Sequence, residues 1–194
     1  MQSMTTVETR LESAFAPYFA EIEACRRAST YWALLHVVVA LPDICSALES
    51  DDGQAEGGRY VRWCRSYLPM TGLTGAHEYW TIRCVVLHQG RTVTRRARYR
   101  FTQPNASGQR FHRRQADDGV TVLDVDELAT EMTAGVRAWV ADLQARPAGR
   151  GNVEKHVATL VMVQNQELPG SGGSTYLVSG TCSTTAPIFR RLMP

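Results

Sequence analysis

Lysine is nearly absent from this chain of 194 residues: of its 21 basic residues only Lys155 is a lysine, and the others are arginines. Acidic residues are absent from one long stretch, Tyr79 to Ala116, which nevertheless holds nine arginines. A local excess of positive charge suits a polyanion such as a nucleic acid. The alternative is an arginine-rich, solvated β surface without such a partner. Composition alone leaves both open.

The chain also lacks a Cys-x-x-Cys motif. Its five cysteines are odd in number and widely spaced, which argues against both a disulfide framework and a zinc ribbon. The histidines have no zinc-site spacing with cysteine or carboxylate residues. The sequence therefore predicts a reduced, cytoplasmic protein that needs no metal and no other cofactor.

Long apolar runs are missing as well. The longest, from Trp32 to Pro42, is interrupted by His36 and is shorter than a membrane-spanning segment needs. The first residues have no basic region followed by an apolar stretch, so they do not resemble a secretory signal. We therefore expect no membrane association, and the composition, 44% hydrophobic and 21% charged, is typical of a soluble globular protein.

The first 90 residues show helical periodicity. A capping box at Thr5 and Glu8 predicts the start of one helix, and further helices are predicted over residues 29–49, 59–68 and 76–89. Pro17 predicts a kink or restart in the first helix, and Pro42 predicts a kink in the second. Short connections between these segments predict an antiparallel four-helix bundle over residues 1–90.

After Gly90 the period changes from helical to alternating. Strands are predicted over residues 93–101, 109–114 and 120–123, which we interpret as a short antiparallel β-hairpin or meander. Asp124 then caps a helix, a loop follows at residues 147–151, and Asn152 is predicted to cap a short helix through residue 163. The predicted class is thus α+β, mainly α. Residues 91–165 would be an appended unit packing on the bundle, and residues 166–194 a tail with at most one strand.

The most informative segment runs from Ile82 to Gly90 and places Arg83 and His88 five positions apart on one helix. The arginine fork binds phosphate oxygens, and a histidine moves protons near neutral pH. Cleavage of RNA by its own 2′-hydroxyl needs both and no metal. Five helical positions turn the two side chains apart by about 140°, so either the long arginine or a second subunit must close the gap. A competing pair, Arg150 and His156, begins in a Pro/Gly loop.

These residues carry a resemblance to a known family. Residues 31–90, with Leu-His-Val-Val-Val-Ala-Leu-Pro-Asp ending at Asp43 and Ile-Arg-Cys-Val-Val-Leu-His-Gln-Gly ending at Gly90, resemble the HEPN superfamily of helical bundles. The resemblance implies a metal-independent RNase that acts as a dimer in toxin–antitoxin, phage-defence or RNA-processing systems. It also implies that His88 is the general acid or base and Arg83 the transition-state clamp. Many active members carry a polar residue, often Asn, where this chain has Cys84.

We therefore expect a homodimeric HEPN-like endoribonuclease whose catalytic residues are Arg83, His88 and Asp43, with Asp43 orienting a histidine. The RNA backbone would be guided by five arginines of the basic stretch: Arg91, Arg95, Arg96, Arg98 and Arg100. An antitoxin or a defence-system protein is the further partner that this interpretation implies. Cys84 favours one alternative, a non-catalytic HEPN-like module that binds RNA or protein. A second alternative is an unrelated α+β protein in which Arg83 holds an anionic small molecule.

Overall fold

A computed structural model describes residues 7–71, 74–93, 98–103, 107–160, 162–167 and 174–179. Six α-helices lie within these ranges, with a 3₁₀ turn at Val157–Thr159. The helices are α1 Val7–Arg27, α2 Tyr31–Leu48, α3 Gly57–Tyr67, α4 Ala76–Gln89, α5 Val125–Leu143 and α6 Pro147–His156. The strands are β1 Tyr99–Thr102, β2 Arg114–Gln115, β3 Thr121–Asp124, β4 Met162–Glu167 and β5 Ser174–Ser179. The predicted class, α+β and mainly α, is confirmed.

Two helix ends are set by the capping residues that the sequence indicated. Helix α4 ends at Gly90, whose φ of 58° lies in the left-handed region that glycine adopts without a steric cost. The carboxylate of Asp124 accepts from the backbone N–H groups of Asp126 and Glu127, both at 3.0 Å, and so begins α5. Helix α1 runs through Pro17 without a restart. The predicted cap at Thr5 lies outside the described residues.

Helix α2 is the centre of the packing and contacts α1, α3, α4 and α5. Trp139 of α5 is fully buried and meets the ring of Phe15 on α1 edge to face, with centroids 6.0 Å apart. One continuous set of buried apolar side chains therefore includes residues from both sides of Gly90. Each large side chain that is fully buried contributes roughly 1.5–3 kcal/mol through the hydrophobic effect.

Helix α2 is also long and apolar enough to cross a membrane, by length and composition alone, which no other helix of the described residues is. More than half of its residues are buried inside the protein. The length of α2 corrects the expectation that no segment of the chain reaches a membrane-spanning length. Its burial is typical of a core helix.

The small sheet differs from the predicted hairpin. Strand β3 is central: β1 pairs with it in parallel, Tyr99 opposite Thr121, and β2 pairs with it antiparallel across the turn at Gly119. The expectation that residues 93–101 and 109–114 pair as an antiparallel hairpin was therefore wrong. Arg113 has a φ of 54°, which interrupts extended backbone just before β2 and leaves that strand two residues long. Residues 94–97 of the predicted first strand lie outside the described residues.

The C-terminal elements differ from the prediction too. Helix α6 begins at Pro147, because proline suits the first helical position, so residues 147–151 are helix and not loop. Asn152 does not cap a helix; its side-chain amide donates to the backbone oxygen of Glu49 at 2.9 Å and to Asp51 at 2.8 Å. The predicted helix through residue 163 ends at His156, and an antiparallel β4–β5 pair follows, where the sequence indicated one strand at most.

Candidate active site

Burial of one face of α4 decides where Arg83 points. Ile82, Val85 and Val86 are buried in the core and fix the rotation of the helix, while α2 packs alongside. Arg83 then lies at the boundary between α2 and α4, half-buried, and His88 lies exposed in the last turn. The helix–helix packing thus places a cation at an interface and a titratable ring at its solvent edge.

Arg83 binds the carboxylate of Asp43 on α2. Its Nε donates to Oδ2 of Asp43 at 2.6 Å, and the two side chains are only 15% and 12% exposed. The guanidinium also lies over the ring of Trp80, 5.0 Å from the centroid, one helical turn earlier on α4. Two neighbours therefore hold the arginine in one orientation.

The second contact of Arg83 is with His88: its Nη1 donates to Nε2 of the imidazole. An arginine has donors only, so Nε2 must accept, which requires a neutral ring that carries its proton on Nδ1. The length of the arginine closes the angular gap between positions 83 and 88 within one chain. The structure thus brings all three predicted catalytic residues, Asp43, Arg83 and His88, into one cluster.

Burial sets the electrostatics of this cluster. Burial raises the pKa of Asp43 above its ordinary value, although the hydrogen bond and charge of Arg83 oppose it. Burial lowers the pKa of Arg83, but the hydrogen bond and charge of Asp43 outweigh it, and that pKa lies above its ordinary value. Oδ1 of Asp43 is buried and has no hydrogen-bond partner among the described residues. Arg83 is therefore a permanent cation that donates a hydrogen bond to one carboxylate oxygen of Asp43.

Two aromatic residues support the cluster, and sequence reasoning placed neither in it. Trp80 stacks with Arg83, and the signal for it was its spacing of three positions on the same helix. Tyr60 of α3 is fully buried; its ring meets Trp80 at 5.2 Å and its hydroxyl donates to the backbone oxygen of Val39 at 3.2 Å. Nothing local in the sequence pointed to Tyr60, because its contacts come from packing between helices.

Cys84 and His36 lie outside the cluster's main contacts. The Cys84 thiol is free and half-buried, and its interaction with Arg83 is one of the smaller influences that raise the pKa of the arginine. The His36 ring is hydrogen-bonded at Nδ1 to the backbone oxygen of Trp32, at 2.8 Å, and stacks edge to face on the Trp32 ring. His36 is thus engaged by its own helix. Among the described residues the carboxylate of Asp43 is bonded to Arg83 and to no histidine, so its link to His88 runs through Arg83.

The predicted RNA-guiding arginines divide into three groups. Arg91 is exposed. Arg98 and Arg100 are each 55% exposed, and both pair with Asp118, at 3.9 Å and 3.4 Å. Arg95 and Arg96 lie outside the described residues. Acidic side chains that follow the basic stretch in sequence therefore fold back on it and reduce its charge.

A second arginine cluster lies where the segment before β2 meets α5. Arg113 donates to both oxygens of Glu131, from Nε at 3.0 Å and from Nη2 at 2.7 Å, and its guanidinium lies over the ring of Tyr79. His112 accepts from the backbone N–H of Asp124 at 3.2 Å through Nδ1, and its Nε2 lies 3.2 Å from Glu131. The side chains of His112, Arg113 and Glu131 are all largely buried.

Within the described ranges, no group of three or more His, Cys, Asp or Glu side chains is arranged to hold a metal ion. What the site offers is one proton-transfer group, one fixed cation and one buried carboxylate, open to solvent on the side of His88. Comparison of the chain with protein-family models, with curated proteins and with solved structures gives no match.

Proposed function

We propose that this protein is a HEPN-like, metal-independent endoribonuclease that acts in the cytoplasm as a homodimer, in a toxin–antitoxin or phage-defence setting. One observation carries the proposal: Arg83 joins a buried carboxylate, Asp43, to an exposed histidine, His88. The residues meet in space although forty positions separate Asp43 from Arg83. A cation held beside a neutral imidazole at the surface suits attack on a phosphodiester.

The cleavage step follows from the hydrogen-bond directions. In the free protein the N–H of Arg83 occupies the lone pair of His88 Nε2. A phosphate that takes over this N–H releases Nε2 to accept the proton of the neighbouring 2′-hydroxyl. The 2′-oxygen then bonds to phosphorus, the bond from phosphorus to the 5′-oxygen breaks, and a 2′,3′-cyclic phosphate forms. Arg83 stabilises the charge that develops on the phosphate oxygens, because Asp43 fixes its orientation beforehand.

The departing 5′-oxygen needs a proton from a second group. A second copy of the chain, bound with its own α4 facing the first, would supply its His88 as the general acid, in the protonated form and released from its own Arg83. This requirement is the chemical reason for a dimer in the proposal. The basic side chains of Arg91, Arg98 and Arg100 would steer the RNA backbone toward the shared cleft, since long-range attraction raises encounter rates.

The test compares two histidines on one helix. His77 lies exposed in the first turn of α4 and His88 exposed in the last. With purified protein, total bacterial RNA and EDTA, we expect His88→Ala to lose cleavage by about 10²–10⁴-fold, the usual contribution of general acid–base catalysis. His77→Ala should cleave like the wild type and leave 2′,3′-cyclic phosphate ends. Equal activity of His88→Ala and His77→Ala would contradict the proposal.

One observation favours a second candidate, a non-catalytic HEPN-like module that binds RNA or protein. Cys84 stands where many active members have an amide, and a thiol is a weak hydrogen-bonding group. Expression of the chain alone in a bacterium separates the two. Growth arrest that His88→Ala relieves and His77→Ala does not would support the nuclease. RNA binding that survives His88→Ala, without cleavage by the wild type, would support the module.

A further inference from the structure

A polar cavity of about 330 Å³ lies where the end of α2 meets α3 and the residue before α6. Its volume lies at the lower end of the range of small-ligand sites, roughly 300–1,000 Å³. The wall from α2 and its C-terminal end includes Ser46 and Glu49, the wall from α3 includes Arg62 and Trp63, and Arg146 closes the third side. None of these residues takes part in the candidate active site.

Arginines dominate the charge of this cavity, and one of them is uncompensated. Arg59 pairs with Asp52 at 2.5 Å, and Arg146 pairs with Asp142 at 2.7 Å. Arg62 is exposed and forms no ion pair with any residue that the structure describes. An anion bound in the cavity would therefore meet one free guanidinium and two that are held in place.

The single carboxylate in the wall does not repel an anion strongly, because both of its oxygens are already bound. Oε2 of Glu49 accepts from Nε1 of Trp139 at 2.6 Å, and Oε1 accepts from Arg146. Trp63 also lines the cavity, and its Nε1 is buried without a hydrogen-bond partner among the described residues. A buried donor without a partner is unfavourable, so an acceptor that reached this N–H would relieve that cost.

We infer that this cavity binds a phosphate group, with Arg62 as its principal contact. Arginine forks match phosphate oxygens geometrically, and the exposed guanidinium of Arg62 lies in the wall of the cavity. Ser46 lies on the same helix as Asp43, and its hydroxyl donates to the Asp43 backbone oxygen at 3.2 Å. Ser46 thus lies almost one helical turn after Asp43, a rise of roughly 5 Å along α2.

Two sources can supply the phosphate: a neighbouring position of an RNA strand that occupies the active site, or a free nucleotide. The inference that an RNA strand supplies the phosphate rests on the proposed function, whereas the inference of the phosphate site itself does not. Both sources present the same group to Arg62, so one pair of variants tests the site and a competition experiment identifies the source.

Arg62 and Arg65 form a matched pair for this test. Both are exposed on α3, and only Arg62 lines the cavity. With the full-length chain, isothermal titration of inorganic phosphate and of adenosine monophosphate should show binding that Arg62→Gln weakens about tenfold or more, since hydrogen bonds to charged groups carry about 1.5–3 kcal/mol. Arg65→Gln should bind like the wild type. Absence of binding to the wild type at millimolar phosphate, or an equal loss in both variants, would overturn the inference.

The competition experiment uses an RNA oligonucleotide with 2′-O-methyl groups, which binds but cannot be cleaved. If the oligonucleotide displaces adenosine monophosphate from the wild type, the site takes a strand phosphate; if the nucleotide binds equally in its presence, the site takes a free nucleotide. His88→Ala should leave both titrations unchanged. A failure of the nuclease proposal would then appear only in the cleavage assay, and a failure of the phosphate site only in the titrations.

Discussion

Two clusters in this molecule are built from nearly the same residue types, and they differ in what they can do. One centres on Arg83, with a carboxylate, a histidine and an aromatic ring around it; the other centres on Arg113 with the same kinds of neighbours. The arginine is well shielded in both, with side-chain exposures of 15% and 10%. Residue identity therefore does not separate a candidate active site from a structural cluster.

The histidines separate them. His88 lies at the surface, and among the described residues its Nε2 is engaged only by an N–H that a phosphate could take over. His112 is largely enclosed; its Nδ1 accepts a backbone N–H and its Nε2 faces Glu131. A ring whose two nitrogens both face protein groups cannot exchange a proton with a substrate without breaking those contacts. The exposure and hydrogen-bond direction of the histidine, more than the residue types present, therefore decide which cluster can take part in proton transfer.

The largest expected effect is on RNA cleavage, when the central arginine of each cluster is replaced by lysine. Arg83→Lys keeps the charge but loses the fork that joins Asp43, His88 and a phosphate, so we expect cleavage to fall about 10²–10³-fold. Arg113→Lys should lower the midpoint of urea unfolding and leave cleavage of the remaining folded protein near the wild-type rate. Similar cleavage rates for the two variants would remove the distinction between the clusters.

A medium effect on stability should come from Glu131. Burial raises the pKa of Glu131, but its contacts with His112 and Arg113 outweigh burial and hold that pKa below its ordinary value of 4.5. A carboxyl with a depressed pKa stabilises the folded state above its unfolded pKa and loses that contribution as the pH falls through the folded one. Glu131→Gln should therefore lower the free energy of unfolding by about 2 kcal/mol near neutral pH, because it leaves Arg113 poorly paired in a largely buried site.

The measurement is urea unfolding near neutral pH and at about pH 3, with Glu12→Gln as the control. Glu12 is exposed on α1, so its substitution should change stability little at either pH. The difference between wild type and Glu131→Gln should shrink at the lower pH. A difference that stays constant across this window would show that the carboxylate charge is not what stabilises the second cluster.

The smallest expected effect is on RNA binding by the basic residues near the sheet. Arg98 and Arg100 both pair with Asp118, whose negative charge partly cancels their attraction for an RNA backbone. The doubly substituted Arg98→Gln, Arg100→Gln protein should bind single-stranded RNA more weakly, with a salt slope reduced by about 0.7 for each phosphate that it no longer neutralises. Asp118→Asn should act in the opposite direction. An unchanged slope in both variants would exclude this face from the binding surface.

The two clusters also mark what the sequence could predict. Asp43, Arg83 and His88 were singled out by the family resemblance together with residue type and helical spacing. Helices α2 and α4 begin and end within two residues of their predicted bounds, and α5 begins after its predicted cap, Asp124. The second cluster was missed, because the contact of Arg113 with Glu131 depends on where the segment before β2 meets α5. The parallel pairing of β1 with β3 was missed for the same reason: strands of two to four residues carry little pattern of their own.

The packing of α2 against α5 has a consequence for synthesis of the chain. Helix α2 ends at Leu48, whereas α5, which covers one of its apolar faces, begins at Val125. At about 5–20 residues per second, a ribosome needs roughly 4–15 s to make the intervening stretch. During that interval the most apolar of the described helices lacks one of its partners. Its exposed face is then a target for chaperones, and early arrest of translation would release a chain that tends to aggregate.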